Sequence, residues 1–116
     1  MFGFQRLDVY KCSVALLPLA VALSDRAPKG FASLGDQLRR AVLSVPLNIA
    51  DGNGKCDQDA RRFYAIARGS ALECAAVFDA YEALTFVPAT DLAEPRQLLE
   101  RIVSMLTVLL RKPPSA

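Results

Sequence analysis

Apolar residues recur along this chain in steps of three and four, and proline, glycine and short polar runs interrupt them in three places. That period keeps one face of a helix against a core. It predicts four helices, over about residues 5–25, 34–52, 57–86 and 92–111. The first stops before the RAPKG run, where Pro28 and Gly30 break the pattern. Ser33 is expected to cap the second, with Asp36 three residues on, and Gly52 and Gly54 end it. The third starts at Asp57, where Asp59 adds negative charge at the positive end of the helix dipole, and Pro88 bars its continuation. Pro113 and Pro114 end the fourth. No stretch alternates as a half-buried strand must.

The seams differ in kind. Phe63, Ala67, Ser70, Cys74, Val77, Tyr81 and Leu84 form one on the third helix. Leu34, Leu38, Val42, Val45 and Ile49 form one on the second; Leu99, Ile102, Val103, Leu106 and Leu110 form one on the fourth. Short connections then favour a single domain over residues 1–116, an all-α, up-down-up-down four-helix bundle. The first helix carries two seams. Leu7, Tyr10, Val14, Leu17 and Val21 lie on one side, and Val9, Cys12, Leu16, Leu19 and Leu23 nearly opposite. A helix that is apolar all round must be buried all round, and three neighbours cannot enclose it in so small a monomer. Leu43 and Leu47 on the second helix and Leu72 on the third repeat the excess, beside small residues such as Ala65 and Ala76. The pattern predicts a homo-oligomer with Val9, Leu16, Leu19, Leu43, Leu47 and Leu72 at its interface.

Composition removes several function classes. There is no histidine, so the usual general base and the commonest neutral metal ligand are missing. The three cysteines, Cys12, Cys56 and Cys74, are too widely spaced for a disulfide framework or a zinc site. They read as reduced thiols of a cytoplasmic protein, with Cys12 and Cys74 in the core. Residues 12–23 resemble the apolar region of a signal peptide, but they are too short to span a bilayer. Asp8 and Tyr10 in the lead-in, and helical spacing from Leu7, favour a bundle helix, and no membrane role is expected. GNGK at 52–55 lacks the earlier glycine, the hydroxyl residue and the preceding strand of a phosphate loop. Ser70 lacks both the glycine spacing of a nucleophile elbow and a histidine to activate it. The expectation is no enzyme, no cofactor and no metal.

The net charge of +2 is small, but its distribution is uneven. Residues 71–95 hold the acids Glu73, Asp79, Glu82, Asp91 and Glu94 and no base. Residues 39–68 hold the bases Arg39, Arg40, Lys55, Arg61, Arg62 and Arg68. These six are the candidate nucleic-acid contacts, since arginine suits bidentate binding of phosphate. Two alternatives stand beside that reading. The bases could pair with the acidic 71–95 segment, or the surface could dock a protein partner. With Phe63 and Tyr81 on the core seam, no exposed aromatic platform for bases is expected.

The stretch QLRRAVLSVPLNIADGNGK, residues 37–55, carries the most specific pattern. Pro46 removes a backbone donor inside the second helix and should bend it. Asn48 is expected to latch to a neighbouring helix at Ser70 or Glu73. Gly69 and Ser70 are expected on the seam, where small residues allow close packing. With FYAIARGSALE at 63–73, and Phe4 through Tyr10 at the start, the stretch resembles the bacterial four-helix-bundle family encoded within intervening sequences of 23S ribosomal RNA genes. Its motif residues here are Pro46, Asn48, Gly52, Gly69, Ser70 and Glu73, with Asp51 where glutamate is usual. The chain is also similar to the accessory bundle protein of diversity-generating retroelements. The resemblance implies a closed four-helix bundle in a ring-shaped homopentamer. Repeated around such a ring, the six bases are expected to bind structured RNA, ribosomal RNA among the candidates, by counterion release.

Overall fold

The computed structural model describes residues 1–111, and the chain is all-helical over that range. A single 3-10 turn, Gly3–Arg6, leads into helix α1, Asp8–Ser24. Helix α2 covers Ala32–Asn53, α3 covers Asp57–Ala83, and a second 3-10 turn at Ala89–Leu92 leads into α4, Ala93–Arg111. Pro113 and Pro114, assigned to end the fourth helix, lie outside the described residues.

Each helix runs antiparallel to the next. Ser44 of α2 meets Ser70 of α3, while the far end of α2 at Gly52 meets Phe63 and Tyr64. The Tyr81 hydroxyl near the end of α3 donates to the carbonyl of Ser24 at the end of α1, 3.4 Å away. The groove between α1 and α4 is lined by Leu7 and Val9 from the start of one and Met105 and Leu109 from the end of the other. α1 therefore packs on α2 and α4, and α3 on α2 and α4, giving an up-down-up-down bundle of 51 × 26 × 23 Å.

Two glycines set how closely the helices approach. A Cβ on Gly35 would lie 2.5 Å from the Ser24 carbonyl oxygen, so α2 can begin against the end of α1 only with no side chain there. A Cβ on Gly52 would lie 2.8 Å from the Tyr64 ring, so the α2–α3 corner is equally tight. Ion pairs tie the opposite end. Arg96 forks between Asp79 at 2.9 Å and Glu82 at 2.5 Å, and Arg26 reaches Asp91 at 3.2 Å. All three contacts are at least partly exposed, so each pair contributes at most about 1 kcal/mol.

Several expectations need correction. Phe31, not Ser33, is the N-cap residue of α2, and it makes no side-chain capping bond. Asp36 spends its carboxylate on Arg39, 3.1 Å away. On α1 the two seams are not equivalent. Val9 and Leu16, assigned to a subunit interface, are 3% and 0% exposed and belong to the chain's own core with Cys12, Ala20 and Leu23. The opposite seam is the less covered one: Val14 is 40% exposed, and Leu7, Tyr10, Leu17 and Val21 are half-buried. Leu19, also assigned to the interface, is half-buried at the edge of α1 near Arg26 and Pro95. On α3 the buried arc is wider than one seam, because α3 packs on two neighbours. Ala71 and Phe78 join Ala67, Cys74, Val77 and Tyr81, while Leu84 lies beyond the helix and exposed. Pro46 lies buried inside α2, as the pattern placed it, and the helix runs on to Asn53.

Candidate nucleic-acid interface

The start of α1, the end of α2, the start of α3 and the end of α4 share one end of the long axis. In that half, among the described residues, lie Arg6, Lys11, Lys55, Arg61, Arg62, Arg68 and Arg111, against Asp8, Asp51, Asp57 and Asp59. Its seven basic and four acidic side chains leave a net +3. The other half holds Arg26, Lys29, Arg39, Arg40, Arg96 and Arg101 against Asp25, Asp36, Glu73, Asp79, Glu82, Asp91, Glu94 and Glu100, a net −2. The polarity seen along the sequence thus becomes polarity along the bundle, because the α2–α3 hairpin folds its basic corner to one end.

Four of the six candidate bases gather there. Lys55 leaves the end of α2 and its ammonium sits 5.9 Å from the centre of the Phe63 ring. The Arg62 guanidinium lies over the same ring at 5.0 Å. A ring face attracts a cation by its quadrupole, so Phe63 holds both charges in place without neutralising them. Arg68, half-buried, points along the other flank of α3 and donates from Nε to Thr107 Oγ1 of α4 at 2.9 Å. The Thr107 hydroxyl in turn donates to the Val103 carbonyl at 2.7 Å. Arg61, partly buried, stands two turns before Arg68 on that flank.

The other two candidates lie elsewhere. Arg39 pairs with Asp25 and Asp36 at the acidic end, so its charge is locally spent. Arg40 is exposed midway along α2, one turn from Leu43. The acids of residues 71–95 do not cancel the candidate bases. Asp79 and Glu82 hold Arg96, Asp91 holds Arg26, and Glu73 accepts from Gln37 Nε2 at 2.9 Å. Among the described residues Arg40, Lys55, Arg62 and Arg68 form no salt bridge, which leaves their charge available to an anion.

Two of the motif residues, Asn48 and Ser70, form with Ser44 a polar line between α2 and α3. Asn48 Nδ2 donates to the Ser44 carbonyl at 2.8 Å and to Ser44 Oγ at 2.9 Å, and Ser70 Oγ donates to Ser44 Oγ at 2.9 Å. Asn48 therefore reaches Ser70 only through Ser44, not directly as expected. Buried polar groups persist when they are paired in this way. Gly69 is not on the seam. It faces outward, and a Cβ there would meet nothing within 4 Å. Three residues to either side of it on α3, Ile66 and Leu72 are each 45% exposed, and on α2 Leu43 is 46% and Leu47 62% exposed.

Sequence reasoning missed the N-terminal contribution to the basic end. Phe2 is 72% exposed, and its ring lies parallel to that of Phe4, 4° between planes and 6.0 Å between centres. Gly3 sits against Asn53 of the α2–α3 corner. The signal was present as a Phe-Gly-Phe opening, but no periodicity marks which side of a single turn faces out. Cys12 and Cys74 are buried, and burial pushes the Cys74 thiol up to about 12, with Glu73 nearby adding to the effect. Cys56 is exposed at the N-cap of α3. Among the described residues no helix is long and apolar enough to cross a membrane.

No curated protein matches the chain. The family model described as 23S rRNA-intervening sequence protein matches residues 5–108, which takes in all four helices almost entirely, the basic corner and the whole polar line between α2 and α3. The chain belongs to the 23S rRNA-intervening sequence protein family.

Proposed function

We propose that this protein is a non-enzymatic, cytoplasmic RNA-binding bundle that holds structured RNA, with ribosomal RNA the first candidate, by its basic end. The observation that carries the reading is the concentration of unspent cations there: Lys55 and Arg62 on the Phe63 ring and Arg68 braced on Thr107. Cations fixed by rings and hydroxyls rather than by carboxylates keep their charge for phosphate. Binding of this kind is driven by release of counterions from the nucleic acid and carries no sequence preference of its own. The family's name, which ties it to ribosomal RNA genes, supports the choice of ligand.

A net +3 on one subunit is a modest field. Repetition around a homo-oligomer, for which a pentameric ring is the expected form, would multiply it. The exposed Leu43, Leu47, Ile66 and Leu72 on the outer sides of α2 and α3 favour such self-association. The same surface favours a second reading, a scaffold that docks a partner enzyme without touching RNA.

Charge-removal variants separate the two. Lys55→Gln with Arg62→Gln should weaken binding of a structured ribosomal RNA fragment at least tenfold, at unchanged helicity and thermal stability. Lys29→Gln with Arg101→Gln, distant from that corner, should leave it nearly unchanged. Equal losses from both pairs would refute the basic end as the site. Nuclease-resistant co-purification of one protein, with no RNA affinity, would favour the scaffold.

A further inference from the structure

We infer that the basic end contacts unpaired nucleotides, with Phe2 as a stacking platform for a base; this rests on the RNA reading above and narrows the kind of RNA. A purely electrostatic site for duplex phosphates needs cations and has no use for an exposed aromatic ring. This end has one. The Phe2 ring is 72% exposed, although the chain around it is tied down. Its backbone N–H donates to Gln5 Oε1 at 2.7 Å, and the Gln5 N–H donates to the Phe2 carbonyl at 3.1 Å. Phe4 lies parallel to it and is held edge-on by Tyr10 at 5.0 Å. The ring is therefore presented to solvent by a fixed turn.

The position of that turn gives it a partner. Gly3 meets Asn53, Gly52 meets Phe63 and Tyr64, and Lys55 and Arg62 lie over Phe63. An apolar face and two available cations thus occupy one corner. A single strand offers both complements, bases with free faces and phosphates between them. In a duplex the base faces are covered by their neighbours, and side chains cannot reach into the deep, narrow groove of an RNA helix. Charge complementarity selects nucleic acid over an apolar protein segment, since the half of the bundle around Phe2 carries a net +3.

The test uses the whole protein and two RNA probes of equal length, an unstructured single strand and a blunt duplex, followed by fluorescence anisotropy at several salt concentrations. The single strand should bind more tightly. Phe2→Ala should weaken it by roughly 5- to 160-fold, the range for one stacked base, and leave the salt slope as it was. Phe2→Leu, which keeps apolar area without an aromatic face, should lose nearly as much. Arg62→Gln should lower the slope by about 0.7, the amount for one contact to a single strand. Tighter binding of the duplex, or single-strand affinity indifferent to Phe2→Ala, would overturn the platform while leaving the RNA reading in place. Failure of both probes to bind at low salt would overturn both.

Discussion

Gly69 sits inside α3 with its α-carbon facing out, and the space a methyl group would take there is empty to 4 Å. A glycine in a helix interior is less favourable than alanine by about 1 kcal/mol, because it loses more backbone freedom on folding. No clash offsets that gain in this chain. Gly69→Ala should therefore stabilise the dilute protein by about 1 kcal/mol, a rise in Tm of about 4 °C for a domain of this size. Far-UV circular dichroism melts over a dilution series measure it. Sedimentation at the same concentrations adds a second readout. Where a neighbouring subunit's helix lies on Gly69, the added methyl should weaken assembly while the dilute chain gains stability. Destabilisation of the dilute chain would refute the reasoning, since it would mean that Gly69 meets something within its own bundle.

Other expectations follow from burial and charge. Leu16→Ala should cost about 3 kcal/mol at every protein concentration in chemical denaturation, because Leu16 is 0% exposed within one chain; Leu47→Ala, at 62% exposure, should change monomer stability by under about 0.5 kcal/mol. Gly35→Ala should destabilise by about 2 kcal/mol in the same assay despite its better helix propensity, since the new Cβ would stand 2.5 Å from the Ser24 carbonyl oxygen. The Cys74 thiol, ordinarily near 9.0 and here raised to about 12, binds its proton more tightly in the folded state. Its contribution is complete below pH 9 and should be lost between pH 9 and 12, at up to about 1.4 kcal/mol per pH unit. Cys74→Ala should flatten that alkaline limb in melts taken across the range. Cys56 should alkylate rapidly in the native protein while Cys12 and Cys74 react only on unfolding, as mass spectrometry of quenched time points would read.

Periodicity located the helices because each buries one continuous face, and α2 and α4 gave up their core residues directly: Leu38, Val42, Val45 and Ile49, and Leu99, Ile102 and Leu106, are all buried. It failed where two faces compete. α1 is apolar on both sides, and nothing local says that Val9 and Leu16 rather than Val14 turn inward; only the position of α2 and α4 decides. The same holds for α3, where contact with two helices widens the buried arc to Ala71 and Phe78. Ser33 has the chemistry of a cap, yet α2 starts earlier because Gly35 lets its first turn press on Ser24. Of the candidate site, the bases were legible as a charge run, but their grouping was not. Arg39 and Arg40 are adjacent in sequence and have opposite fates: Arg39 is paired with Asp25 and Asp36, and Arg40 is left exposed. Gly3 against Asn53 brings two distant segments together, and no spacing within either encodes it.

One titration decides whether the basic end binds RNA through its phosphates, as proposed. The most direct measurement is the affinity of nuclease-treated protein for a structured ribosomal RNA fragment as a function of salt. Phosphate binding at that end predicts micromolar or tighter affinity at low salt, with log affinity falling linearly in log salt by a slope of roughly −2 to −4 per subunit, as three to five phosphate contacts require. No binding at low salt, or binding that salt leaves unchanged, would contradict it.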